Sequence, residues 1–269
     1  MVLNELIERL TRTDHWDPYE LLGPHQISVD GKRVFSLRVF APDAQETQVI
    51  SDVSGNRPMT MSRIHEIGLF EAILPASIGA STYRIRITDS CGTITERHDP
   101  YAFAPLITDH DLHLFSEGTL FKAYDTLGAH LRVVNGITGV HFVVWAPNAD
   151  RVSVVSGFNR WDGRCHPMKS RSATGLWELF VPDIPEGTYY KYEIRSRHAD
   201  APFTKADPYA FASEVRPKTA SIVRDFSGYR WNDLAWMDAR ATHDPLTAPL
   251  SIYEVHLGSW MRVPEEENR

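Results

Sequence analysis

Hydrophobic and polar residues alternate singly along much of this chain. In 35–39, Phe35, Leu37 and Val39 alternate with Ser36 and Arg38. In 83–88, Tyr83, Ile85 and Ile87 alternate with Arg84, Arg86 and Thr88. In 190–195, Tyr190, Tyr192 and Ile194 alternate with Lys191, Glu193 and Arg195. Successive side chains on a strand point to opposite faces, so each segment predicts a strand with one buried and one wet face. Asp30-Gly31, Cys91-Gly92, Asn135-Gly136 and Glu186-Gly187 place turn formers between such runs. Two stretches depart from this period. Leu3, Leu6, Ile7 and Leu10 fall on one face of a helix over 3–13. From about Ser213 the chain carries Pro217, Pro245 and Pro249 and little period, until Tyr253 to His256 reads as a buried strand.

The pattern occurs twice. Tyr19, Gly23 and His25 recur as Tyr124, Gly128 and His130. Val39-Phe-Ala-Pro42 recurs as Val144-Trp-Ala-Pro147, and Leu69 to Pro75 recurs as Leu176 to Pro182. Thr82-Tyr-Arg-Ile-Arg-Ile recurs as Tyr189-Tyr-Lys-Tyr-Glu-Ile, and Asp99-Pro-Tyr-Ala-Phe103 recurs as Asp207-Pro-Tyr-Ala-Phe211. The landmarks keep their order at a spacing of roughly 105 residues, the size of one small domain. The expected fold is therefore all-β: two tandem immunoglobulin-like β-sandwiches after a short helix. The expected divisions are a helix over 1–15, sandwiches over 16–112 and 113–226, and a linker over 227–269 that enters a further domain.

Composition narrows the partners. The net charge is −7, with 35 acidic against 28 basic residues, which argues against nucleic acid because phosphate binding needs a basic face. No apolar run is long enough for a bilayer, and residues 1–10 lack the basic and apolar regions of a signal peptide. The only cysteines, Cys91 and Cys165, lie far apart, which argues against a disulfide framework and for the cytoplasm. His110 and His113 have no partner cluster with zinc spacing, and a solvated loop is expected there. No metal and no cofactor are expected.

Several motifs together resemble a known family. Gly157-Phe-Asn-Arg-Trp161, Gly175-Leu-Trp177, Gly187-Thr-Tyr-Tyr-Lys-Tyr192 and Asp207-Pro208 resemble the glycogen-binding module of starch- and glycogen-modifying enzymes. Tyr229 to Trp236 and Tyr253 to Trp260 resemble the entry into the catalytic barrel of glycogen branching enzymes, and the doubled module points the same way. The resemblance implies cleavage of α-1,4 linkages and formation of α-1,6 linkages, with α-glucans such as glycogen and maltooligosaccharides as partners. It also implies that Tyr253 to His256 is the stub of the first strand of a (β/α)8 barrel, missing here or supplied separately. The family's paired carboxylates have no counterpart in this sequence, so no catalytic residue is assigned and the chain alone is expected to be inactive. A free-standing glycogen-binding protein, a remnant of a disrupted gene and part of a debranching hydrolase remain as alternatives.

The resemblance implies Trp161 and Lys191 as glucan-binding residues. The residues agree: Trp161 follows a polar turn, and Lys191 lies on the polar face of its strand. Phe203 is a looser third candidate. Trp177, alternating with Leu179 and Val181, is expected in the core, as is Phe158. In the first copy Asn56 and Arg84 stand at the positions of Trp161 and Lys191, so that copy is expected to be a spacer or a packing partner.

Overall fold

The alternating segments form strands, and in one sheet of each copy the strands pair in the same order. The structure, a computed structural model, describes residues 3–12, 17–51, 55, 57–75, 83–196, 198–199, 201–260 and 265. The helix expected at the N-terminus is α1 (Leu3–Arg12). The first copy contains β1 (Gly23–Val29), β2 (Lys32–Phe40), β3 (Ala44–Ser51), β4 (Met59–Thr60), β5 (Ser62–His65), β6 (Leu69–Pro75), β7 (Tyr83–Asp89) and β8 (Ile94–Arg97). These make two antiparallel sheets, ordered β1-β2-β6-β5 and β4-β3-β7-β8. The second copy contains β9 (Gly128–Val134), β10 (Ile137–Trp145), β11 (Ala149–Ser156), β12 (Lys169–Ser170), β13 (Leu176–Pro182), β14 (Tyr189–Ser196), β15 (Phe203–Lys205), β16 (Ala212–Ser213) and β17 (Ser221–Ile222). Its sheets run β9-β10-β13-β12 and β11-β14-β17-β16, with β15 also on β14. Asp30 and Asn135, at φ +50° and +52°, open the tight turns of the β1–β2 and β9–β10 hairpins.

Each pair of sheets closes over its own apolar faces. Leu37, Val39, Phe70 and Leu74 meet Val49, Tyr83 and Ile85 in the first sandwich. Phe142, Val144, Trp177 and Leu179 meet Val152, Val154, Tyr190 and Tyr192 in the second. Trp177 and its counterpart Phe70 are both 2% exposed, as their alternation predicts. Phe158 is half-buried and packs against the second core.

The recurring landmarks meet in space. Gly23 has φ +86°, and a Cβ there would lie 2.7 Å from the Tyr101 carbonyl oxygen. Gly128 has φ +107°, and a Cβ there would lie 2.9 Å from the Tyr209 carbonyl oxygen. Only glycine fits both the conformation and the approach. Asp99 accepts from the Tyr101 amide at 3.0 Å and from the Tyr83 hydroxyl at 2.9 Å. Asp207 accepts from the Tyr209 amide at 2.8 Å and from the Tyr190 and Tyr192 hydroxyls at 2.7 and 3.1 Å. The Asp-Pro-Tyr landmark is thus a structural knot in both copies.

The copies are joined rather than strung. Residues through Asp225 form one unit holding both sandwiches, and Phe226–Arg269 form a second. The second core continues through Leu21, Leu22, Phe40, Leu69 and Tyr101 of the first copy, and into Leu6, Ile7 and Leu10 of α1. The Tyr101 hydroxyl donates to the Pro167 carbonyl at 3.1 Å. Between the copies runs α2 (Asp109–Glu117), with a capping box from Thr108 to Asp111 and a left-handed Gly118 at its end. The loop expected around His110 and His113 is therefore a helix. Leu112 and Phe115 of α2 pack near Val143 and Leu176, on the outer face of the β10–β13 pair.

The second unit holds α3 (Leu234–Thr242) and α4 (Leu257–Trp260). The barrel strand expected at Tyr253 to His256 is not formed. A strand needs a neighbour for its backbone groups, and among the described residues none pairs with this segment. His256 instead sits 2.9 Å from the Ser259 hydroxyl.

Candidate functional site

The segment after β11 is fixed by a buried amide. The Asn159 side chain accepts from the Ser156 amide at 2.9 Å and donates to the Val154 carbonyl at 2.8 Å. It also lies 3.0 Å from His166 Nδ1. Burial holds the His166 pKa well below its ordinary value, so the ring is neutral and that nitrogen can accept from the Asn159 amide. Asn159 pins a single 3-10 turn, Gly157–Asn159, and the chain then takes two left-handed residues in succession. These are Arg160 at φ +55° and Trp161 at φ +61°. Left-handed backbone costs a non-glycine residue roughly 1–2 kcal/mol. Such strain persists where the surroundings enforce it, and it clusters at ligand sites. Here it accompanies an indole that is 44% exposed.

The Trp161 segment lies on the outer face of the β11–β14 pair. The Trp161 amide donates to the Ser156 carbonyl at 2.9 Å. Gly163 sits so close to Glu193 that a Cβ would overlap the carboxylate. Glu193 is on the same face of β14 as Lys191, two residues away, and Lys191 is paired with Val155 beside Ser156. Gly163 thus rests against the face of β14 that carries Lys191, and Trp161 stands two residues before Gly163. The Lys191 ammonium donates to the Thr219 hydroxyl at 2.8 Å, which leaves it further donors. Tyr189, 48% exposed, shares the face by alternation.

Phe203 does not join this group. On β15 it pairs with Ile194, and Lys205 pairs with Tyr192. Directly paired residues share a face, so Phe203 lies with the core-facing side of β14, opposite Lys191. The Lys205 ammonium stands 5.6 Å from its ring centre. In the first copy, Arg84 is paired with Glu96 at 3.8 Å, and Asn56 lies outside the described residues.

The arrangement offers an aromatic surface, a cation and hydroxyls. Among the described residues no cluster of three or more metal-ligating side chains occurs, and no helix is long and apolar enough to cross a membrane.

Comparison with known families fits this geometry. Residues 3–101 match the family described as alpha-1,4-glucan branching enzyme GlgB, N-terminal domain, and residues 126–210 match Carbohydrate-binding module 48 (Isoamylase N-terminal domain). The chain is similar to the N-terminal region of the GlgB branching enzymes. Among GlgB branching enzymes, that of Gloeobacter violaceus is 46% identical over 267 residues, covering 98% of this chain and 35% of the relative. That of Thermosynechococcus vestitus is 44% identical over 264 residues, covering 98% and 34%. The chain thus spans about a third of the length of the curated GlgB relatives it matches. A pullulanase from Anoxybacillus sp. LM18-11, solved with maltotetraose, is 19% identical, covering 82% of this chain and 27% of the pullulanase, at a TM-score of 0.32.

Two residues of the face, Tyr189 and Thr219, are not among the binding residues expected from the sequence. Tyr189 was accessible there, since it alternates with Lys191. Thr219 was not, because it reaches Lys191 only through the pairing of β17 with β14.

Proposed function

We propose that this chain binds α-glucan on the face built by Trp161, Tyr189, Lys191 and Thr219, and that it positions the polymer for branching chemistry carried out elsewhere. The observation that carries this reading is the strained, exposed Trp161, two residues from the Gly163 that rests against the Lys191 face of β14. A glucose ring presents an apolar face to an indole and hydroxyls to its rim, and an aromatic contact loses little side-chain entropy on binding. The likeness to a carbohydrate-binding module and to branching enzymes supports α-1,4-linked glucose as the ligand, with the α-1,4 to α-1,6 transfer belonging to the longer relatives' chemistry. The match of the first copy to the branching-enzyme family favours this over a debranching hydrolase. Phe203 serves only a glucan that wraps past the β15 edge.

Titration calorimetry of the whole chain with maltoheptaose tests the site. Trp161→Ala weakens binding about tenfold or more, the size of a central aromatic truncation, without lowering the melting temperature. Lys191→Ala gives a smaller loss, and Phe203→Ala the smallest. Unchanged affinity in the Trp161 variant sinks the proposal. A second assay follows the iodine spectrum of amylose: the chain alone leaves it unaltered, and a shift would show that it catalyses after all.

A further inference from the structure

A cleft of about 330 Å³ opens between the two sandwiches, on residues other than the Trp161 face. That volume is at the lower end of small-ligand sites. Its first-copy wall is the turn after β2 and the edge strand β8. Thr93, Thr95 and Arg97 alternate there, with Thr95 and Arg97 paired to Ile87 and Ile85. Its second-copy wall is the turn Gly157 to Arg160.

The lining has the chemistry of a polyhydroxylated ligand. Phe158 supplies apolar surface from the second-copy wall, and Phe40, 5% exposed, backs the first-copy wall. Arg160 clamps the walls together, donating to Asp43 at 2.9 Å and Asp89 at 2.7 Å. Asp89 is itself oriented, accepting from the Thr93 and Cys91 amides at 2.9 Å. Arg97 is different. It lines the cleft half-buried, and among the described residues no hydrogen bond or ion pair holds its guanidinium. The Asp99 carboxylate acts on it only through its charge, without a hydrogen bond, so the planar fork of donors is an open handle for adjacent hydroxyls. Asp43 and Asp89 balance Arg97 and Arg160, so the site carries no net formal charge. That balance favours a neutral sugar over a phosphate.

We propose that this cleft is a second glucan subsite, taking a short α-1,4-linked glucose segment with Arg97 and Thr95 on its hydroxyls and Phe158 against its apolar face. The choice of glucose rests on the glucan reading above. The subsite would let one polymer chain engage both sandwiches, and two linked contacts raise avidity without a new catalytic group.

Amide chemical shifts of the whole 15N-labelled chain, titrated with maltotriose, test this. Two groups of signals should move: Thr93 to Arg97 from the cleft, and Trp161 with Lys191 from the outer face. Thr95→Trp, which fills the cleft from an exposed strand position, should abolish the first group and spare the second. Arg97→Lys, which keeps the charge but removes the fork, should weaken cleft binding at least fivefold. Trp161→Ala should do the reverse of Thr95→Trp. Cleft signals that stay still while the Trp161 face saturates would overturn the subsite and leave the main reading intact. Movement of the cleft alone would retain the subsite and sink the outer-face reading. Stillness of both groups would end both. Cleft signals that respond to glucose 1-phosphate but not to maltotriose would overturn the assignment of a neutral sugar.

Discussion

At the scale of single residues, the most instructive group is Asp99. It is buried, and burial raises its pKa from the ordinary 3.8 to about 6, although the Tyr101 amide and Tyr83 hydroxyl pull the other way. A raised pKa means that the folded chain holds this proton more tightly than the unfolded chain. The stabilising effect is fully present below pH about 4 and is lost as pH rises through about 6. Urea unfolding at both ends of that window should show the native protein losing up to about 3 kcal/mol more than Asp99→Asn. Equal losses would mean that Asp99 is not held as described. Asp207 is shifted the same way by burial, so the behaviour belongs to the motif rather than to one copy. Its recurrence was readable in the sequence. Its reason was not, because the tyrosines that meet it lie 15 to 17 residues away along the chain.

At the scale of elements, the segments with a clean period were legible. Leu3, Leu6, Ile7 and Leu10 gave α1, and β2, β7 and β14 fall where alternation puts them. The helix α2 was missed because Asp-His-Asp-Leu-His-Leu-Phe has a weak apolar stripe, although its ends were marked by Thr108, Asp111 and Gly118. The face chosen by Phe203 was invisible, since β15 is short and its register is set only by pairing with β14. The strand β13 was half legible. Trp177, Leu179 and Val181 were seen as core, but the opposite face is buried as well, with Glu178 at 1% exposure. Glu178 accepts from the Leu106 and Ile107 amides at 2.7 and 3.0 Å, and it meets His141 Nε2 at 2.9 Å and Arg171 at 3.3 Å. It thereby fastens the connection between the copies to the second sandwich. Glu178→Ala leaves those donors buried and unpaired, and should cost about 3–5 kcal/mol in denaturant unfolding. A loss below about 1 kcal/mol would show that the connection is held by Phe103 and Phe180 instead, whose rings pack edge-on at 5.0 Å.

At the scale of the whole molecule, the duplication was legible and the joining was not. Repeats in a sequence say nothing about whether their copies share a core. Leu21, Leu22, Phe40, Leu69 and Tyr101 carry the second core into the first copy, and α1 completes it. The first copy, lacking an aromatic counterpart to Trp161 in the sequence, packs against its neighbour through these residues. Leu10 is 1% exposed within that shared core. Leu10→Ala should remove about 2–5 kcal/mol and lower one common calorimetric transition for residues 1–225. Two separate transitions, with only one of them shifted, would show that the sandwiches melt independently. The inter-sandwich cleft escaped the sequence for the same reason, since its walls are far apart along the chain: Arg160 meets Asp89 across 71 residues and Asp43 across 117.

The contacts of Gly23 with Tyr101 and of Gly128 with Tyr209 have a topological meaning. In the first sandwich the polypeptide arrives and departs at one spot, like a loop of cord tied at its base, and in the second it returns to the same kind of tie before adding β16 and β17. A gene segment encoding such a loop can be copied in tandem without redirecting the chain on either side. The close approach of the two ends makes an extra sandwich an addition in series, and it identifies the tie points as the natural seams for excising or exchanging one of them.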